Sequence, residues 1–162
     1  KLYLIILFSG CTEGVVKRVG MVVGVLLGII SVFFLVLTLY LNHRNGKKFH
    51  QMGTKEKVFR QFFSELEAKT WCKVLITSGY RDTEKQKKLY EQNPDNAPPG
   101  KSRHERKKAM DINLICWDGM LKKATPTEDW KAKGVHLVAK KHNFIWGGNF
   151  TNYHDPVHFA IR

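Results

Sequence analysis

Cysteine is sparse in this chain, with three residues (Cys11, Cys72 and Cys116) among 162. No CxxC spacing and no dense framework occur, so a disulfide scaffold is not expected. Cys72 and Cys116 are expected as buried free thiols, with a single Cys72–Cys116 bridge as the alternative. Acidic side chains are also scarce: 14 Asp and Glu stand against 27 Lys and Arg, for a formal charge of +13. Charge of either sign is nearly absent from the first 42 residues, which hold only Lys1, Lys17, Arg18 and Glu13, leaving +11 for residues 43–162. Such a basic part suits a polyanionic partner, whether nucleic acid, anionic lipid or anionic cell wall. There are no internal repeats and no low-complexity tract.

Residues 19–41, VGMVVGVLLGIISVFFLVLTLYL, are 23 residues without a charge. As a helix it would extend roughly 35 Å, enough to cross a hydrocarbon core with some tilt. A buried core helix is the competing reading, but about 120 remaining residues could not cover a helix that is apolar all round. Gly20, Gly24 and Gly28 form GxxxGxxxG, a spacing through which two such helices could pair as a dimer. The N-terminal segment 1–18 begins at Lys1, and its apolar run before Ser9-Gly10-Cys11 has the look of a lipoprotein processing box.

After the span, residues 42–53 read as a basic linker, and a domain is expected over 54–162. Thr54 is expected to cap a helix to about Lys69, with Val58, Phe59, Phe62, Phe63 and Leu66 on its apolar face. A strand is expected over 73–77. A capping box at Thr83 and Gln86 opens a second helix to about Gln92. The proline-rich stretch 93–101 is a loop. Strands are expected over 109–116, 144–146 and 157–161, and a third helix over 127–142. Helices and strands mix without a βαβ rhythm, which indicates an α+β fold.

Three stretches carry candidate chemistry: Ser78-Gly79-Tyr80-Arg81-Asp82, Ser102-Arg103-His104 with Ala109-Met110-Asp111, and His154-Asp155-Pro156-Val157-His158-Phe159. A catalytic zinc requires three protein ligands and an open position for water. His104, Asp111 and His158 would provide two imidazoles and a carboxylate. Asp155 is a candidate base for that water. It can face the same metal as His158 only if the chain turns at Pro156, because residues three apart on a straight strand point to opposite faces. In the plainer alternative, Ser102 and Glu105 cap a basic surface helix, and His104 and Asp111 are ordinary surface residues.

Taken together, the stretches resemble the zinc D-alanyl-D-alanine carboxypeptidase and L-alanyl-D-glutamate endopeptidase family, which includes vancomycin-resistance carboxypeptidases and phage endolysins. That pattern runs SGYR, SxHxxGxAxD, a WGG-like segment and DxxHF. Here it corresponds to 78–81, 102–111, Trp146-Gly147-Gly148 and 155–159. The resemblance covers roughly 54–162, and Trp146-Gly147-Gly148-Asn149-Phe150 looks most like the L-alanyl-D-glutamate branch. It implies a small antiparallel sheet flanked by helices, like hedgehog domains and DD-peptidases, and preceded here by one transmembrane helix. It implies a Zn2+ ion on His104, Asp111 and His158, with Asp155 as general base and Arg81 at the developing oxyanion. Tyr80, Ser102 and Trp146 would contact the substrate, and Trp117 is a further candidate to line the cleft. Lys107 departs from the pattern, standing where the family has Gly, and Ala160 stands where a polar residue is common.

The implied activity is hydrolysis of peptidoglycan stem peptides, as an L-alanyl-D-glutamate endopeptidase of endolysin type or as a D-alanyl-D-alanine carboxypeptidase. A non-catalytic zinc-containing module that binds cell wall is the alternative of another class. A nucleic-acid partner is not expected, since no recognition motif accompanies the charge. The implied location is anchored in a membrane, with the domain acting on the cell-wall side. Arg44, Lys47 and Lys48 after the span would instead retain the domain in the cytoplasm under the positive-inside rule. An enzyme held inside until lysis, or a segment missing upstream, would reconcile the two.

Overall fold

A computed structural model describes residues 2–162, with side chains from Val16 onward. The Leu2–Cys11 processing-box reading therefore concerns side chains outside the described residues. The chain divides into two compact units, Lys1–Tyr40 and Leu41–Arg162. The described residues of the first unit are helical, part of α1 (Leu2–His50). The stretch Val16–His50 is long and apolar enough to cross a membrane. A Cβ added at Gly20, Gly24 or Gly28 would meet nothing within 4 Å beyond its own helix backbone.

The second unit is α+β. Its elements are the end of α1, α2 (Glu56–Thr70), β1 (Lys73–Ser78), α3 (Thr83–Gln92), β2 (Ala109–Cys116), β3 (Gly119–Leu121), α4 (Thr127–Ala132), α5 (Val135–Lys141), β4 (Phe144–Trp146) and β5 (His158–Ile161). The antiparallel sheet runs β1-β2-β5-β4, and the short β3 pairs with the distal half of β2. The apolar positions expected on α2 do face the sheet. Phe59, Phe62, Phe63 and Leu66 are buried with Ile76, Ile112, Leu114, Trp130 and Phe159. Phe62 stacks on Phe144 at 4.2 Å between ring centroids. Val58 is the exception and is exposed.

Three expectations are corrected. First, 42–53 is not a linker. α1 continues to His50, and Leu41, Asn45, Phe49 and Met52 are buried. The buried Asn45 amide supplies the reason. It donates to Val74 O at 2.7 Å and accepts from Ile76 N at 3.0 Å, closing the free edge of β1 where a neighbouring strand would otherwise pair. Second, the helix expected over 127–142 breaks into α4 and α5 at Gly134, whose φ of 80° lies in the left-handed region. Third, Cys72 and Cys116 are not free thiols but form a disulfide. Antiparallel pairing sets Lys73 opposite Ile115 and so carries the two cysteines together, with Cα atoms 4.2 Å apart. Smaller differences follow from local hydrogen bonds. Asp82, not Thr83, caps α3 by accepting from Lys85 N, and the Gln86 amide turns away to donate to Ala97 O.

The bridge closes a long loop, and reducing it frees the unfolded chain. Cys72→Ser/Cys116→Ser is expected to lower unfolding stability by about 2–4 kcal/mol. Denaturant titration with and without reductant measures this: reductant should destabilise the wild type and leave the double variant unchanged.

Candidate metal centre and cleft

The sheet register builds the site. In the β2–β5 ladder Asp111 lies directly opposite His158, and in the β1–β2 ladder it lies opposite Ser78. A register shift between Ile76 and Ser78 lets β1 peel away at this point. The chain then passes through Gly79 and Tyr80 to Arg81. Asp111 thus stands at one end of the central strand with partners on both sides.

His104 comes from the loop before β2. The surface-helix alternative is not adopted, because Glu105 folds back to accept from Gly100 N and Ser102 N, making a tight turn. Ser102 Oγ accepts from His104 N. Lys107 takes a φ of 56° as Lys108 N closes onto Arg103 O at 2.8 Å. That left-handed position explains why glycine suits it, and a side chain there costs roughly 1–2 kcal/mol. Lys107 adopts the conformation nonetheless, with its ammonium 5.2 Å from the centre of the Tyr80 ring.

His104 Nδ1 donates to Gly79 O at 2.7 Å, which orients the ring and turns Nε2 toward Asp111. His104 Nε2 and His158 Nδ1 lie 3.2 and 2.9 Å from the same Asp111 oxygen, Oδ1. Arg81 Nη2 donates to the other oxygen at 2.6 Å, while its Nε donates to Ser78 Oγ. Burial alone would raise the Asp111 pKa. Hydrogen bonds and charge from His104 and His158 outweigh it and hold the carboxyl well below the usual carboxylate range. One donor atom from each of His104, Asp111 and His158 lies within 4.8 Å of the others. Two imidazole nitrogens and an ionised carboxylate, with an orienting partner behind His104, fit a three-ligand zinc site.

Asp155 joins them through the turn the sequence requires. His158 N donates to Asp155 O at 3.1 Å, reversing the chain over Pro156. The turn is held from behind. Trp146 Nε1 donates to Pro156 O at 2.8 Å, and Ile112 N to Val157 O at 3.0 Å. Gly147 packs so closely on this turn that a Cβ there would overlap the Asp155 carbonyl, and one at Gly148 would overlap the Trp146 ring. The Asp155 carboxyl is raised above its ordinary pKa by burial and by the negative charge of Asp111, with Lys123 Nζ at 3.6 Å opposing the shift.

Around these groups lies an open cleft of about 960 Å³. Arg81, Ser102, His104, Asp111, Asp155 and His158 all line it. Lys101, Arg103, Arg106, Lys122 and Lys123 add positive charge, and Tyr153 and Phe150 add aromatic surface. Trp146 is 1% exposed, and its indole N–H holds the Pro156 carbonyl in the Asp155 turn. Tyr80 is not among the residues of the cleft wall, and Trp117 lies at the opposite end of β2. Ser102 reaches the cleft but is itself buried, with its hydroxyl engaged by the His104 backbone. Lys122, Lys123 and Tyr153 were not singled out in the sequence; they are brought in by β3 and by the loop before Asp155, and no motif marks them.

Residues 96–161 match the family model described as D-alanyl-D-alanine carboxypeptidase. This is the family that the motifs resemble. The carboxypeptidase match takes in His104, Asp111, Asp155, His158 and the Trp146-Gly147-Gly148 segment, and leaves Ser78 and Arg81 upstream of it. No curated protein sequence matches the chain. Among solved structures, the Serratia marcescens L-Ala D-Glu endopeptidase ChiX is similar at 18% identity, over 68% of this chain and 88% of that one, with a TM-score of 0.44. VanYB in complex with D-alanine-D-alanine is similar at 21% identity, over 65% and 67%, with a TM-score of 0.46. The LdcB LD-carboxypeptidase is similar at 20% identity, over 65% and 63%, with a TM-score of 0.45.

Because His104 contributes a nitrogen already aimed by Gly79, its loss should abolish tight metal binding. Wild-type protein is expected to take up one zinc per chain in calorimetric titration and His104→Ala none. Equal zinc in the two proteins would remove His104 from the ligand set.

Proposed function

We propose that this chain is a zinc-dependent peptidase that hydrolyses peptidoglycan stem peptides, with L-alanyl-D-glutamate endopeptidase activity. The observation that carries the reading is the convergence of His104, Asp111 and His158 with a separate carboxylate, Asp155, on one cleft wall. A binding module needs the first three but has no use for the fourth. A zinc ion on the three ligands would supply a Lewis acid and a bound water of lowered pKa.

The protein's own groups then divide the work. Asp155 accepts the proton of the attacking water and returns it to the leaving amine. Its raised pKa brings it nearer the range in which one carboxyl both accepts and gives a proton efficiently. Arg81 holds Asp111 in place through Oδ2. Its expected action on the oxyanion would come in addition to that contact, since two of its N–H groups are already engaged. The basic wall of Lys101, Arg103, Arg106, Lys122 and Lys123 suits a substrate that carries carboxylates.

D-alanyl-D-alanine carboxypeptidase activity is the second reading, favoured by the description of the family matched over 96–161. Mass spectrometry of digested peptidoglycan separates the two, as cleavage after L-alanine or as loss of one terminal D-alanine.

The Cys72–Cys116 disulfide favours an oxidising compartment, because thiols stay reduced in most cytoplasms. This supports a domain facing the cell wall and outweighs the cationic flank at Arg44, Lys47 and Lys48.

Asp155→Asn keeps the shape of the turn and all three ligands but removes the proton acceptor. Turnover is expected to fall by roughly 10²–10⁴-fold, with zinc content and melting temperature unchanged. Full activity in a folded, zinc-loaded Asp155→Asn protein would overturn the assignment.

A further inference from the structure

Trp71 and Trp117 are 86% and 84% exposed, whereas Trp130 and Trp146 are buried. Each exposed tryptophan adjoins a cysteine of the disulfide, Trp71 before Cys72 and Trp117 after Cys116. With the cysteine Cα atoms 4.2 Å apart, the tryptophan Cα atoms are held within about 12 Å of one another. Trp71 ends α2 with a φ of 56°, a left-handed position that usually goes to glycine and that a bulky residue occupies at a cost. Its ring recovers little of that cost by packing, since it is exposed.

The pair marks one end of the unit. Cys116 ends the central strand β2 and Asp111 lies near its other end, about 17 Å away at 3.4 Å per residue. The tryptophans therefore sit at the end away from the metal centre. The start of the unit lies toward the same end. Along β1, Asn45 is bonded to Val74 and Ile76, while Lys48 backs onto Gly79, so the helix runs from the Cys72 end toward the site. Leu41, one turn before Asn45, is the first residue of this unit and the last of the uncharged 19–41 stretch. The exposed Lys69 stands two residues before Trp71, while Lys133 is already paired with Asp118, next to Trp117.

We infer that Trp71 and Trp117 seat this end of the domain in the headgroup region of the bilayer from which the chain emerges, so that the catalytic cleft faces away from the membrane. The inference rests on reading 19–41 as a membrane span. Tryptophan is favoured at the membrane interface because its ring is apolar and its indole N–H stays wet. Lysines beside it are drawn to anionic headgroups. A disulfide makes the pair a rigid clamp, which fixes how the domain stands on the membrane and holds the metal centre above the surface.

The test uses the full chain reconstituted in phosphatidylcholine–phosphatidylglycerol vesicles, with lipid brominated near the headgroup or near the chain terminus. Tryptophan emission is expected to be quenched more by the shallow bromines. The quenched part should shrink in Trp71→Ser and in Trp117→Ser and vanish in the double variant. Melting temperature and peptide cleavage should stay at wild-type values, since neither ring packs in the core or touches the cleft. Carbonate washing of the same vesicles reads the span separately. Protein that withstands the wash without bromine quenching overturns the inference and leaves the span standing. Protein that washes off overturns both. If soluble glycan strands, rather than vesicles, shield the two rings from aqueous acrylamide, the pair is a sugar-stacking surface and the inference fails.

Discussion

Asp111 is a carboxylate that burial alone would keep protonated, yet its surroundings hold it ionised. One oxygen faces His104 Nε2 and His158 Nδ1, and the other accepts from Arg81. An unpaired charge in this position would be costly, so the fold around it has to deliver all three partners. Two arrive by strand pairing, His158 from β5 and Arg81 from just beyond β1. The third arrives by a turn closed on Glu105 and Lys107. Meeting this one group draws on residues carried by β5, by the chain just beyond β1 and by the loop before β2.

The same sheet performs different tasks at its two ends. At the Asp111 end the strands splay and the chain turns, leaving an open, basic cleft. At the Cys116 end they are clamped by the disulfide, and the outer edge of β1 is closed by Asn45. Closing that edge removes a row of free backbone groups that would invite pairing with another chain. It also ties the segment that follows the apolar stretch into the domain core, where Phe49 and Met52 join the packing under α2.

Much of the chemistry was legible from residue type and spacing. The histidines and carboxylates that converge are those whose order matched a known pattern, and the need for a turn at Pro156 followed from strand geometry alone. β2 was legible because its apolar run is bounded by charge and turn residues. Less legible were features in which a polar residue acts at long range. Asn45 reads as part of a basic linker because its partners lie about thirty residues away in the sequence. Trp146 reads as a substrate contact because aromatic residues near a motif suggest a cleft, yet its indole is consumed in holding the Pro156 carbonyl. Lys107 reads as a disturbance, although its backbone adopts the left-handed form that the glycine would have supplied.

The sequence by itself determined the apolar stretch, the α+β class and the identities of the metal and base candidates, because each depends on local composition or on residue types that chemistry demands. Only the tertiary structure decided which groups share Asp111, that Cys72 and Cys116 are bridged, and that Trp71 and Trp117 stand together at the end opposite the cleft. These depend on strand register, and register is settled by the burial of a whole face of the sheet rather than by any short stretch of chain.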